Sequence, residues 1–142
     1  MLQRFQDFVT GITQCYRSIQ KIKSTEMTEF GLKGTHVMCL FFLGQHPEGL
    51  TAAQLSQMCA EDKAAISRTL AVLQERGYIQ TGEKKYRVPL RLTAVGEDLA
   101  RQMEGLIQHW VTFGGEDLTR EEREIFYRAL GKIAARLSEK PE

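Results

Sequence analysis

The sequence predicts a mainly α-helical chain with one small β-hairpin. Three observations predict it: apolar residues step by four and three near both ends, two short capped helical patterns lie between, and one stretch after Gly77 changes to a period of two. With 142 residues, 42% apolar and 26% charged, the chain has the size and balance of one globular domain with its own core.

Phe5, Val9, Ile12, Tyr16 and Ile19 form a single seam and place a first helix over residues 2–23. Residues 34–44, GTHVMCLFFLG, are almost wholly apolar between glycines, the pattern of a short helix buried on most sides. His46, Pro47, Glu48 and Gly49 form a turn. Thr51 with Gln54 is a capping box: the hydroxyl accepts the amide three residues on, and the glutamine side chain returns to the threonine amide. It opens a helix with Ala52, Leu55 and Met58 as its apolar residues. Asp62 caps the next, which runs to Arg76 and stops at Gly77. Two short helices so closely joined predict a helix-turn-helix.

Beyond Gly77, residues 78–81 and 87–92 read as extended, with Val88, Leu90 and Leu92 alternating against Arg87, Pro89 and Arg91. Gly82-Glu83-Lys84-Lys85 makes a basic tip, and Pro89, which donates no ladder bond, marks an edge strand. Thr93 caps a helix carrying Leu99, Met103, Leu106, Trp110 and Phe113, broken at Gly114 and Gly115. Thr119 with Glu122 is a second capping box, opening a helix with Phe126, Leu130, Ile133 and Leu137. The expected architecture is a winged helix-turn-helix core with long terminal helices forming a dimerisation bundle. Residues 1–142 form one domain, with 34–93 as core and wing and with 1–23 and 94–138 as dimerisation helices. The core is expected to close on Leu40, Leu43, Leu55, Ile66, Leu70 and Leu73, which leaves the terminal seams for a second copy.

The net charge of +1 hides an asymmetry. Residues 63–91 hold seven basic groups against two acidic ones, whereas the flanking segments are mildly acidic. Concentrated positive charge on a near-neutral body is the footprint of a phosphate-binding surface. At 100° per residue, Lys63, Ala64, Ser67, Arg68 and Ala71 share one arc of their helix while Ile66, Leu70 and Leu73 lie opposite. Small residues permit close approach to a groove, arginine forks to guanine, and serine bonds bases or phosphate. The DNA-binding set is therefore Lys63, Ala64, Ser67 and Arg68 in the groove, with Lys84, Lys85 and Arg87 of the hairpin on phosphates. Taken singly, the helix also reads as an ordinary surface helix and the hairpin as a lysine-guarded edge.

The stretch DKAAISRTLAVLQERGYI (62–79), followed by RLTAVGEDL (91–99), resembles the MarR family of bacterial regulators. The resemblance covers essentially the whole chain and implies a homodimer built from terminal helices, a recognition helix in the major groove of double-stranded DNA, a basic wing and, most often, repression of transcription. One departure lies in the wing: the family's usual Asp-x-Arg before the helix-opening threonine is replaced by Lys84 and Tyr86 in a shortened loop. Members often answer a small phenolic ligand or an oxidant, which makes Cys15 a candidate redox sensor. Against that, Phe8, Cys15 and Ile22 share a heptad position, and a thiol in an apolar row is usually inert. Cys39 and Cys59 read as structural.

Other classes fit less well. No nucleotide-binding glycine loop, nucleophile elbow or placed carboxylate pair suggests an enzyme or a bound cofactor. His36, His46 and His109 are too scattered for a zinc pair, and three separated cysteines lack any CxxC. With no long uncharged run and no signal-peptide core, a cytoplasmic protein without membrane partners is expected. The competing reading is a winged-helix module that binds protein instead of DNA.

Overall fold

The computed structural model describes residues 1–25, 28–80 and 89–139. Helices dominate: α1 (Leu2–Thr25), α2 (Gly34–Gln45), α3 (Ala52–Cys59), α4 (Lys63–Glu75), α5 (Ala94–Gly114) and α6 (Arg120–Ser138), with a 3₁₀ turn at Thr28–Phe30. Two short antiparallel strands, β1 (Ile79–Gln80) and β2 (Arg91–Leu92), pair Ile79 with Leu92 and Gln80 with Arg91. Within the described residues the strands are shorter than the alternation implies. Leu90 instead bridges to Leu50 by two backbone bonds, 2.8 and 3.1 Å, so the strand leading into α5 is held on both sides.

The predicted caps form. Thr51 Oγ1 accepts Gln54 N at 3.1 Å while the Gln54 side chain accepts Thr51 N at 2.8 Å, and Thr119 with Glu122 repeats the arrangement. Asp62 Oδ1 accepts Ala65 N at 2.7 Å, and Thr93 Oγ1 accepts Gly96 N at 3.1 Å. At Gly77 the chain leaves α4 with φ +76°, a conformation that costs a side-chain-bearing residue about 1 kcal/mol.

The chain divides into two compact units, Met1–Glu104 and Gly105–Glu142. In the first, the core gathers Val37, Cys39, Leu40 and Leu43 of α2, Leu55 of α3, Ile66 and Leu73 of α4, and Met103 of α5. Two expectations need correction. On α4 the buried positions are 66, 69 and 73, so Thr69 is inside and Leu70 is only half-buried; the helix turns its core stripe by one position from the apolar pattern. On α3 only Leu55 is buried; at 100° per residue Ala52 and Met58 fall about 60° to either side of it, and both are exposed.

Among the described glycines Gly96 permits the closest approach. A Cβ there would lie 2.0 Å from the Tyr78 carbonyl oxygen, which accepts the Thr93 amide at 3.0 Å and so ties the start of the hairpin to the start of α5. In the second unit, Trp110 stacks edge-on against Phe113, with centroids 5.8 Å apart. No helix among the described residues is long and apolar enough to cross a membrane.

Candidate nucleic-acid interface

The turn between α3 and α4 is built from few parts. Ala60 adopts a left-handed conformation (φ 52°), and Ser56 grips Glu61 twice: its hydroxyl donates to the Glu61 carbonyl, and its own carbonyl accepts the Glu61 amide at 3.1 Å. The chain then passes directly to the Asp62 cap. The backbone at the front of α4 is thereby fixed from both sides, which gives the helix a defined angle against α3.

On that helix Lys63, Ala64, Ser67, Arg68 and Ala71 are all exposed, and Ile66, Thr69 and Leu73 face the core. The predicted arc therefore exists as one open face, with Lys63 in its first turn and Arg68 one turn further on. Among the described residues no carboxylate pairs with Lys63 or Arg68, so both cations are available to an outside anion. Lys84, Lys85 and Arg87 lie outside the described residues.

Two of the seven basic groups counted in the sequence have structural work. Arg76 Nη1 donates to the Gly31 carbonyl at 2.8 Å, pinning the loop before α2 to the end of α4. Arg91 Nε donates to the Glu48 carbonyl at 3.2 Å, holding the turn after α2 against β2. Neither position was separable from the others by charge alone.

A second feature was not predicted. A cavity of about 300 Å³ opens between α1, α2 and the end of α3, with Tyr16, Gln20 and Lys23 on one wall and Thr35, Cys59 and Glu61 on the other. Gly34 lets the Lys23 side chain lie close: a Cβ there would meet Lys23 Cβ at 3.0 Å. On the wall formed by α3, Cys59 Sγ lies 3.8 Å from Sγ of the buried Cys39. Burial, then the positive charges of Arg76 and Lys33, hold nearby His36 below the usual imidazole range, so its Nδ1 is free to accept the Lys33 amide at 3.3 Å. No group of three metal-ligating side chains occurs among the described residues. Cys15 is exposed on α1.

Residues 30–85, a span that includes α2, α3, α4 and β1, match the model of the MarR family. Over this stretch the chain is similar to the MarR family. Its fold is shared over nearly the full length with solved MarR-type structures. The transcriptional regulator PA3341 superposes with a TM-score of 0.82 at 19% identity, covering 94% of this chain and 99% of the other. A MarR/EmrR family regulator from Acinetobacter sp. ADP1 gives 0.78 at 20%, covering 93% and 95%. The Mycobacterium tuberculosis MarR family protein Rv2887 is 24% identical; in its complex with DNA it gives 0.66, covering 86% and 93%. Rv2887 has also been solved with p-aminosalicylic acid and with salicylic acid. No curated protein matches the chain.

Proposed function

We propose that this chain is a cytoplasmic transcriptional repressor that binds a pseudo-palindromic operator as a homodimer, is released by a small ligand or an oxidant, and catalyses no reaction. The observation that carries the reading is the open arc of Lys63, Ala64, Ser67 and Arg68 on α4, cationic, unpaired among the described residues and set on a fixed turn. Such a face suits the major groove: Arg68 offers a fork to guanine, Ser67 a hydroxyl, Ala64 room to approach. Lys84, Lys85 and Arg87 complete the set as phosphate contacts by their charge and their place in the sequence between β1 and β2.

A homodimer is supported by apolar rows that this chain leaves uncovered. Phe5, Val9, Ile12, Tyr16 and Ile19 are exposed along α1, and Phe126, Ile133 and Leu137 along α6. Two copies would set their recognition helices about 34 Å apart, one turn of DNA. A small phenolic ligand is supported by the cavity between α1 and α2, where Tyr16 supplies a ring and Lys23 a cation for a carboxylate; the complexes of Rv2887 with salicylates point the same way.

The test is a titration of duplex DNA with the wild type and with Lys63→Ala/Arg68→Ala. The reading expects sequence-preferring binding that the double variant loses. Equal binding by both proteins would remove α4 from the interface, and no binding by either would favour a protein-interaction module.

A further inference from the structure

We propose that Cys39 and Cys59 are a hydroperoxide-responsive dithiol, with Cys59 as the attacking thiol at the cavity wall and Cys39 as the buried partner that closes a disulfide. The inference deepens the regulator reading, on which its consequence for DNA rests.

Geometry brings the two together. Cys39 lies on the buried face of α2 with no exposed surface, Cys59 ends α3, and their sulfurs are 3.8 Å apart. Cys59 lines the cavity and is half-buried, so a small oxidant reaches it, whereas Cys39 is buried and does not line the cavity. Their environments differ in the same sense. The hydrogen bond shared with Cys39 lowers the Cys59 thiol below its usual range, and Lys23 across the cavity adds to the lowering while burial and Glu61 oppose it. The same bond, then burial, raises Cys39. One thiol is held toward the nucleophilic thiolate and the other is kept protonated beside it.

The chemistry balances with a hydroperoxide as oxidant. The Cys59 thiolate attacks the terminal peroxide oxygen; an S–O bond forms, the O–O bond breaks, and the departing alkoxide takes up the proton that Cys59 released. This yields the Cys59 sulfenic acid and an alcohol. Cys39 sulfur then attacks Cys59 sulfur, the S–S bond forms, the S–O bond breaks, and hydroxide leaves with the Cys39 proton as water. Two thiols lose two electrons and two protons, and one hydroperoxide is reduced.

The consequence follows from where Cys59 stands. A disulfide brings the sulfurs to about 2.05 Å, so the pair must close by roughly 1.8 Å. Cys39 sits in the packed middle of α2, whereas Cys59 is the last residue of α3, followed at once by left-handed Ala60 and the Asp62 cap of α4. The movement falls on the end of α3 and is passed to the turn that sets the angle of α4. Oxidation should lower DNA affinity about tenfold or more.

The experiment treats the reduced full-length protein with equimolar tert-butyl hydroperoxide, then digests it with a glutamate-specific protease. Cleavage after Glu29, Glu48 and Glu61 puts Cys39 in residues 30–48 and Cys59 in 49–61. The inference expects these two peptides joined until reductant is added, in the wild type and in Cys15→Ser but not in Cys59→Ser or Cys39→Ala. Cys59→Ser should also keep its DNA affinity through peroxide treatment. The inference is overturned if both thiols stay free, if the bond runs through Cys15, or if the joined protein binds DNA as tightly as the reduced one. Should the reduced wild type bind no DNA while the disulfide forms, the regulator reading fails and the thiol chemistry stands.

Discussion

Two glycine-to-alanine changes in one helix should move stability in opposite directions. At Gly96 the added Cβ would lie 2.0 Å from the Tyr78 carbonyl oxygen and 2.9 Å from its carbon. The neighbour is backbone, already bonded to the Thr93 amide at 3.0 Å, and has no rotamer through which to yield. Relief requires separating α5 from the hairpin base, an overpacking that costs about 3 kcal/mol, the upper end of the usual range. At Gly105, lower in the same helix, a Cβ meets nothing within 4 Å. Alanine there removes the backbone freedom of glycine in the unfolded chain and should add about 0.5–1 kcal/mol. Denaturant unfolding at one fixed protein concentration reads both. Gly96→Ala should lower the midpoint sharply and Gly105→Ala should raise it. A Gly96→Ala protein as stable as wild type would refute the close approach of α5 to residue 78, and with it the placement of the hairpin.

Other perturbations test other parts. Arg68→Ala should cost about 1–3 kcal/mol of affinity at one base pair and relax preference there, measured with a set of operator variants; a uniform loss across all sequences would make Arg68 a phosphate contact instead. Asp62→Ala, which leaves the Ala65 amide without its 2.7 Å acceptor, should lower stability by about 1 kcal/mol, with Asp62→Asn nearly neutral, in urea unfolding. Because His36 is held below its ordinary 6.5 in the folded chain, the unfolded chain binds its proton more readily. The stabilisation is therefore complete above pH 6.5 and is lost as pH falls through that value toward the lower folded one. Melting temperatures of wild type and His36→Gln across that interval should diverge, with the variant losing less.

Local chemistry made much of the fold legible. Capping boxes at Thr51 and Thr119, the Asp62 cap and the stop at Gly77 depend on residues within a few positions of each other, and all form. The exposed arc of α4 was legible for the same reason, since helical periodicity sorts its faces. What escaped depends on contacts far apart in sequence. Thr69 replaced Leu70 in the core because packing against α2 and α3, not hydropathy, chose the rotation of α4. Arg76 and Arg91 look like further phosphate contacts in a charge count, yet each bonds a carbonyl more than forty positions away. Cys39 and Cys59 read as unrelated structural thiols because twenty residues separate them; only the packing of α3 on α2 sets their sulfurs side by side. The cavity, likewise, belongs to three helices at once. The proposal that Lys84, Lys85 and Arg87 contact phosphates rests on their charge, since they lie outside the described residues.

The central claim is that the basic face of this core meets DNA, and the most direct measurement is the affinity of the reduced protein for duplex DNA flanking its own coding region across a range of salt. Each phosphate neutralised should contribute about −0.9 to the slope of log affinity against log salt. The account predicts tight binding of two chains per duplex with a steep negative slope, made shallower by Lys84→Ala/Lys85→Ala. Absence of binding at low salt, or binding indifferent to salt, would contradict it.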